Sequence, residues 1–202
     1  MNNSIMKLLS LMMLAITLSS CVSVKVIIPP IYGLNSGYSK LTDKEKKMVI
    51  FAQDNTDILQ DTLREHIFYA VTGKQFVDMI SKSEKSLVYD WTPNCTAESC
   101  LAIEQVYEHG VKNGYDVYIV ASYFSPEAIV QVEGFEHAVF IPNFLHYGTD
   151  KCRKYERKFW IDLMGKENYY IYSKTIGSPE FGRCHIFNNG FFSRSVRNLS
   201  EL

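Results

Sequence analysis

The sequence predicts an α/β domain, and three observations carry the prediction. Segments of strand and helix periodicity alternate from about residue 66 to residue 124. The run DVYIVASYF (116–124), bounded by Gly114 and Pro126, is rich in β-branched and aromatic residues. Two further strand-like runs, RCHIF and FFSRSV, flank Asn188-Asn189-Gly190, a hairpin turn signal. Alternating strands and helices imply right-handed crossovers and a mostly parallel central sheet, and the hairpin adds an antiparallel part. With 47% hydrophobic and 21% charged residues, the 202-residue chain has enough apolar material for one core and no composition for long disorder. A net charge of −1 leaves no basic footprint, so no nucleic-acid partner is expected.

The chain begins MNNSIMKLLSLMMLAITLSSC, in which one cation, Lys7, precedes a mostly apolar run from Leu8 to Leu18. That run is shorter than the roughly 20 residues of a membrane span and reads as a signal peptide over residues 1–20. Leu18-Ser19-Ser20-Cys21 resembles the lipobox of bacterial lipoproteins. The resemblance implies cleavage before Cys21, lipidation of Cys21, and attachment to a membrane of the bacterial cell envelope, facing an extracytoplasmic compartment. Residues 21–40, with Pro29-Pro30 and two glycines, read as a lipidated tether, and the folded domain is expected over 41–202.

Within that domain, Thr42-Asp43-Lys44-Glu45 has capping-box spacing and opens a short helix through Met48 and Phe51. HIFYAV (66–71) is strand-like, and Thr72-Gly73-Lys74-Gln75 repeats the capping-box pattern before Phe76, Val77 and Ile80 on one helical face. SLVYDW (86–91) reads as the next strand. A helix is expected from about Ala97 to Lys112, with Cys100, Ile103, Val106 and Tyr107 at helical spacing. A further helix from about Asp150 to Met164 places Tyr155, Phe159, Trp160, Leu163 and Met164 on one face. NYYIYS (168–173) is β-rich and is expected as a strand.

The chemistry concentrates in WTPNCTAESC (91–100), where two cysteines stand five positions apart at a strand-to-helix junction. A helix N-terminus stabilises a thiolate through unpaired N–H groups and the helix dipole, and Thr92 is placed to donate to the Cys95 sulfur or orient a peroxide oxygen. Two helical residues five apart lie about 140° apart around the axis, so a Cys95–Cys100 bond would require opening the first turn. With Cys152 and Cys184, four cysteines allow three full pairings, and the residues alone do not choose among them. Cys152 and Cys184 read as a staple or core packing. No Cys-x-x-Cys or His-x-x-His spacing supports a metal site, and no cofactor is expected. The basic run KCRKYERK (151–158) reads as a solvated helix face, and the tyrosine and phenylalanine pairs as sheet packing.

Trp91, Pro93, Cys95 and Glu98 match in register the active-site turn of membrane-anchored thioredoxin-like reductases, with Thr92 in place of the nucleophilic cysteine. The same residues resemble peroxiredoxins of the Q type, whose turn reads Thr-Pro-Gly-Cys-Thr-x-Glu-Ala-Cys. Here Asn94 and Ser99 differ, and Val88 stands where that family has a proline. The resemblance implies a thioredoxin-like mixed sheet, with Cys95 peroxidatic, Cys100 resolving, Arg183 as the active-site arginine and Pro179 as a cis-proline candidate. It implies thiol-based redox activity, peroxidase- or oxidoreductase-like, and a thiol or disulfide protein as partner. The competing expectation is a catalytically inactive lipoprotein of the same fold, acting as a binding or assembly module in the envelope.

Overall fold

The computed structural model describes residues 33–53, 63–95, 100–175 and 183–202. The signal segment, Cys21 and Pro179 lie outside these residues. Within them, seven strands form one sheet in the order β1-β2-β5-β4-β3-β6-β7. The strands are β1 (Val49–Phe51), β2 (Phe68–Val71), β3 (Lys85–Trp91), β4 (Asp116–Ala121), β5 (Val139–Pro142), β6 (Cys184–Asn188) and β7 (Phe191–Val196). Strands β1 to β5 pair in parallel, while β6 runs antiparallel to β3, and β7 to β6. The sheet is therefore mixed α/β, as the alternation predicted, with the hairpin on one side. At its tip Asn189 and Gly190 both have positive φ, 49° and 79°, the backbone that the Asn-Gly signal calls for.

Eight helices are described: α1 (Leu34–Lys40), α2 (Asp43–Lys46), α3 (Gly73–Ile80), α4 (Ile103–Lys112), α5 (Pro126–Gly134), α6 (Phe144–Tyr147), α7 (Cys152–Met164) and α8 (Lys166–Thr175). None among the described residues is long and apolar enough to cross a membrane. Both capping boxes form as read from sequence. Thr72 accepts from the Gln75 N–H at 3.2 Å while Gln75 Oε1 accepts from the Thr72 N–H at 2.9 Å, and Thr42 with Glu45 does the same for α2. Thr72→Ala should therefore lower stability by about 1 kcal/mol, read as a shift in the urea unfolding midpoint at unchanged slope.

Helices α3 and α7 pack together over one sheet face. A Cβ on Gly73 would lie 2.6 Å from the Phe159 carbonyl oxygen, so only glycine allows this approach. Phe76 of α3 is fully buried, with ring centroids 5.7, 5.1 and 5.8 Å from those of Tyr118, Phe140 and Phe159. On the other face α4 lies against β3 and β4.

Several expectations are corrected. Residues 34–40, inside the expected tether, form α1, and Leu34 is buried in the core. The helix opened at Thr42 ends at Lys46, and residues 49–51 are strand β1, whose parallel partner β2 supplies hydrogen bonds that a helix would have had to forgo. Strand β5 and helix α5 were not anticipated, and β4 stops at Ala121 rather than 124. NYYIYS is helical, not extended. Tyr172 of α8 is buried against Trp160 and His185, and Asn168 Nδ2 bonds the Met164 carbonyl at 2.8 Å, so packing behind α7 overrides β propensity.

Candidate functional site

The two cysteines follow the carboxyl end of β3, where the backbone turns sharply. The Cys95 N–H donates to the Thr92 carbonyl at 3.3 Å, across Pro93 and Asn94. Proline presets φ at the second position of this turn, and Asn94 takes φ 60° at the third, the conformation of a type II turn. Three bonds pin it to the strand and loop alongside. The Tyr123 hydroxyl donates to the Pro93 carbonyl, Asn94 Nδ2 donates to Ser125 Oγ at 3.0 Å, and the Ser122 N–H donates to the Trp91 carbonyl at 3.0 Å.

Cys95 and Cys100 are joined in a disulfide with their Cα atoms 5.8 Å apart. In this closed form the expectation that Cys95 sits at a helix N-terminus is not met. Neither cysteine is helical, and α4 begins only at Ile103 after an Ala102 cap that offers no side-chain oxygen. The physical reason is Tyr89. Its hydroxyl accepts from the Leu101 N–H at 2.9 Å and donates to the Leu101 carbonyl at 3.0 Å, engaging backbone groups that an earlier helix start would use.

Arg183, 91 positions along the chain from Thr92, is brought beside it. Its guanidinium Nη1 donates to Thr92 Oγ1 and reaches the Asp90 carbonyl at 3.5 Å, while the Asp90 N–H donates to the Arg183 carbonyl at 2.9 Å. The sequence-derived set Thr92, Cys95, Cys100 and Arg183 thus gathers at one end of β3.

Beneath this turn lies a polar cluster that the sequence reading missed. Asp90 accepts from the Tyr172 hydroxyl at 2.9 Å and from Ser122 Oγ at 3.5 Å. Burial raises its carboxyl above the usual range, which Arg183 partly offsets. Glu156 of α7 is pushed up to about 7, by burial first and by the Asp90 charge second. The available signal was Asp90 itself, a lone charge in the otherwise apolar end of SLVYDW.

Cys152 and Cys184 are free thiols. Burial pushes each up to about 12, so neither forms thiolate at neutral pH, and core packing describes them. His185, also buried, is lowered to about 3 by burial and then by Arg183, and its Nδ1 pairs with Ser195 Oγ at 2.8 Å. Among the described residues no group of three or more histidine, cysteine, aspartate or glutamate side chains is arranged to hold a metal ion. Comparison with protein-family models, curated proteins and solved structures finds no match to this chain.

Proposed function

We propose that this protein is a lipid-anchored thiol redox protein of the bacterial cell envelope, tethered through Cys21 and working through Cys95 and Cys100. The observation that carries the reading is the Arg183 guanidinium on Thr92, at the head of the turn that ends in a disulfide-forming cysteine. A fixed cation and a hydroxyl at the head of a cysteine-bearing turn are the kinds of group that favour a thiolate and orient an oxidant. Thr92 in place of a second turn cysteine favours peroxide reduction over dithiol exchange.

In the cycle, Cys95 thiolate attacks one peroxide oxygen and the O–O bond breaks. Sulfur is oxidised to sulfenic acid, and the other oxygen leaves as water or alcohol after taking a proton. Cys100 thiolate then attacks the sulfenic sulfur, the S–S bond forms, and hydroxide leaves as water once protonated. An external dithiol protein reduces the disulfide, becoming oxidised itself.

The closed bond also favours a second reading, a binding module with a structural staple. Closing so short a loop is worth about 2 kcal/mol on the chain-entropy model. Mass spectrometry of the peptides carrying Cys95 and Cys100 separates the two. A redox site should open under mild dithiol, reclose with dilute peroxide, and leave a trappable Cys95 sulfenic acid in Cys100→Ser. A bond that resists dithiol in the folded protein, or a reduced Cys95 inert to peroxide, would establish the staple.

A further inference from the structure

Resting on the lipid-anchor part of that reading, we infer that the exposed cationic face of α7 is a docking surface for the anionic phospholipid headgroups of the membrane that holds Cys21. Lys151, Arg153, Lys154, Arg157 and Lys158 crowd into α7 and its cap, and all five are exposed. At about 100° per residue, Arg157, Lys154, Lys158 and Lys151 share an arc of about 120° opposite the buried Tyr155, Phe159, Trp160 and Leu163, and Arg153 borders it. The one acid among residues 151–158, Glu156, turns toward the buried side, where burial raises its carboxyl to about 7. Asp150 and Asp162, at the borders of the stripe, accept from the Ser36 N–H at 3.0 Å and the Tyr147 hydroxyl at 3.2 Å. Among the described residues none of the five cations has a carboxylate partner. Lys158 Nζ donates to the Tyr147 carbonyl at 3.1 Å and Arg157 to the Tyr170 hydroxyl at 2.8 Å, which holds both in place and leaves their charge uncompensated.

What selects a membrane as the occupant is where the tether joins the domain. The Ser36 N–H bonds Asp150, and a Cβ on Gly33 would collide with the Asp150 carbonyl, so the root of the tether is packed against the residue next to Lys151. Cys21 and Gly33 are 12 positions apart, and that length of chain spans at most about 40 Å. A lipid on Cys21 therefore keeps the stripe within reach of headgroups, and the tether makes each weak contact an intramolecular one. Each lysine or arginine near an anionic surface strengthens attachment about fivefold, and the attraction fades within a Debye length. The whole chain carries a net charge of −1, so the remainder is acidic on balance. An anionic bilayer attracts α7 and repels that remainder, which sets the orientation of the domain.

The test inserts the lipidated full protein from dilute detergent into the outer leaflet of preformed vesicles. One set is phosphatidylcholine, and the other has about one-third phosphatidylglycerol. Lysines are acetylated with limiting membrane-impermeant reagent, and rates are read by peptide mass spectrometry. On the anionic vesicles Lys151, Lys154 and Lys158 should label at least about fivefold more slowly than on neutral ones, and high salt should abolish the difference. Lys112, exposed on α4 across the sheet, should change by less than about twofold. Lys154→Glu, at an exposed position in the middle of the stripe, should cut the ratio at Lys151 and Lys158 to about twofold. Equal rates on the two vesicles would overturn the docking face, as would protection of Lys112 to the same extent. Inorganic phosphate that protects the stripe on neutral vesicles as well as phosphatidylglycerol does would assign it to soluble anions, and would overturn the membrane as its partner. Flotation reports the anchor separately. Protein that does not float with neutral vesicles carries no lipid at Cys21; the anchor reading then falls, and the docking face with it.

Discussion

Replacing Arg183 by methionine should slow peroxide oxidation of reduced Cys95 by about a hundredfold, the scale of losing one fixed donor at a reacting centre. Methionine keeps much of the side-chain length and removes the charge and the N–H groups. Both the bond to Thr92 and the contact with the Asp90 carbonyl disappear. Lysine at this position should recover only part of the rate, because its ammonium keeps the charge but lacks the rigid planar fork that fixes the Arg183 N–H groups on Thr92 and the Asp90 carbonyl. Trp91 adjoins the turn and is 4% exposed, so stopped-flow tryptophan fluorescence follows the reaction directly. A folded Arg183→Met protein that oxidises at the parental rate would confine Arg183 to a structural role.

Glu156→Gln should stabilise the protein at pH 8 by on the order of 2–3 kcal/mol and leave it nearly unchanged at pH 4. Burial of Glu156 on α7, together with the Asp90 charge, raises its carboxyl from the ordinary 4.5 to about 7. Because the folded-state value lies above the unfolded one, the folded protein holds this proton more tightly. The stability this gives is fully present below about pH 4.5 and is lost as pH rises through about 7. Glutamine is never charged, so the variant lacks that loss. Urea unfolding across this range checks it: the difference between variant and parent should grow with pH and level off above 7. A difference independent of pH would show that Glu156 is not held in its neutral form by the fold.

Much of the architecture was legible because its causes are local. Capping boxes at Thr42 and Thr72 involve residues three apart, and the turn at Asn189-Gly190 needs only its own backbone freedom. The periodic faces of α3 and α7, and the alternation through β2, β3 and β4, follow from spacing alone. Where the reading failed, a distant partner had changed the local balance. Tyr89 claimed the Leu101 backbone and delayed α4, so Cys95 and Cys100 are joined outside any helix. The buried Tyr172 made a helix of a β-rich segment, and β1 and β5, three and four residues long, exist only through their parallel neighbours.

The candidate site divides the same way. Thr92, Cys95 and Cys100 stand within ten residues of one another, and their types and spacing mark the turn in the sequence itself. Arg183 carried no spacing signal that ties it to Thr92, and Asp90, Ser122, Tyr172 and Glu156 come from four separate segments. Sequence by itself determined the alternating α/β order and the cysteine-bearing turn, since both arise from interactions among near neighbours. Only the tertiary structure decided which side chains surround that turn, because burial and pairing across the sheet depend on segments that meet only when the chain is folded.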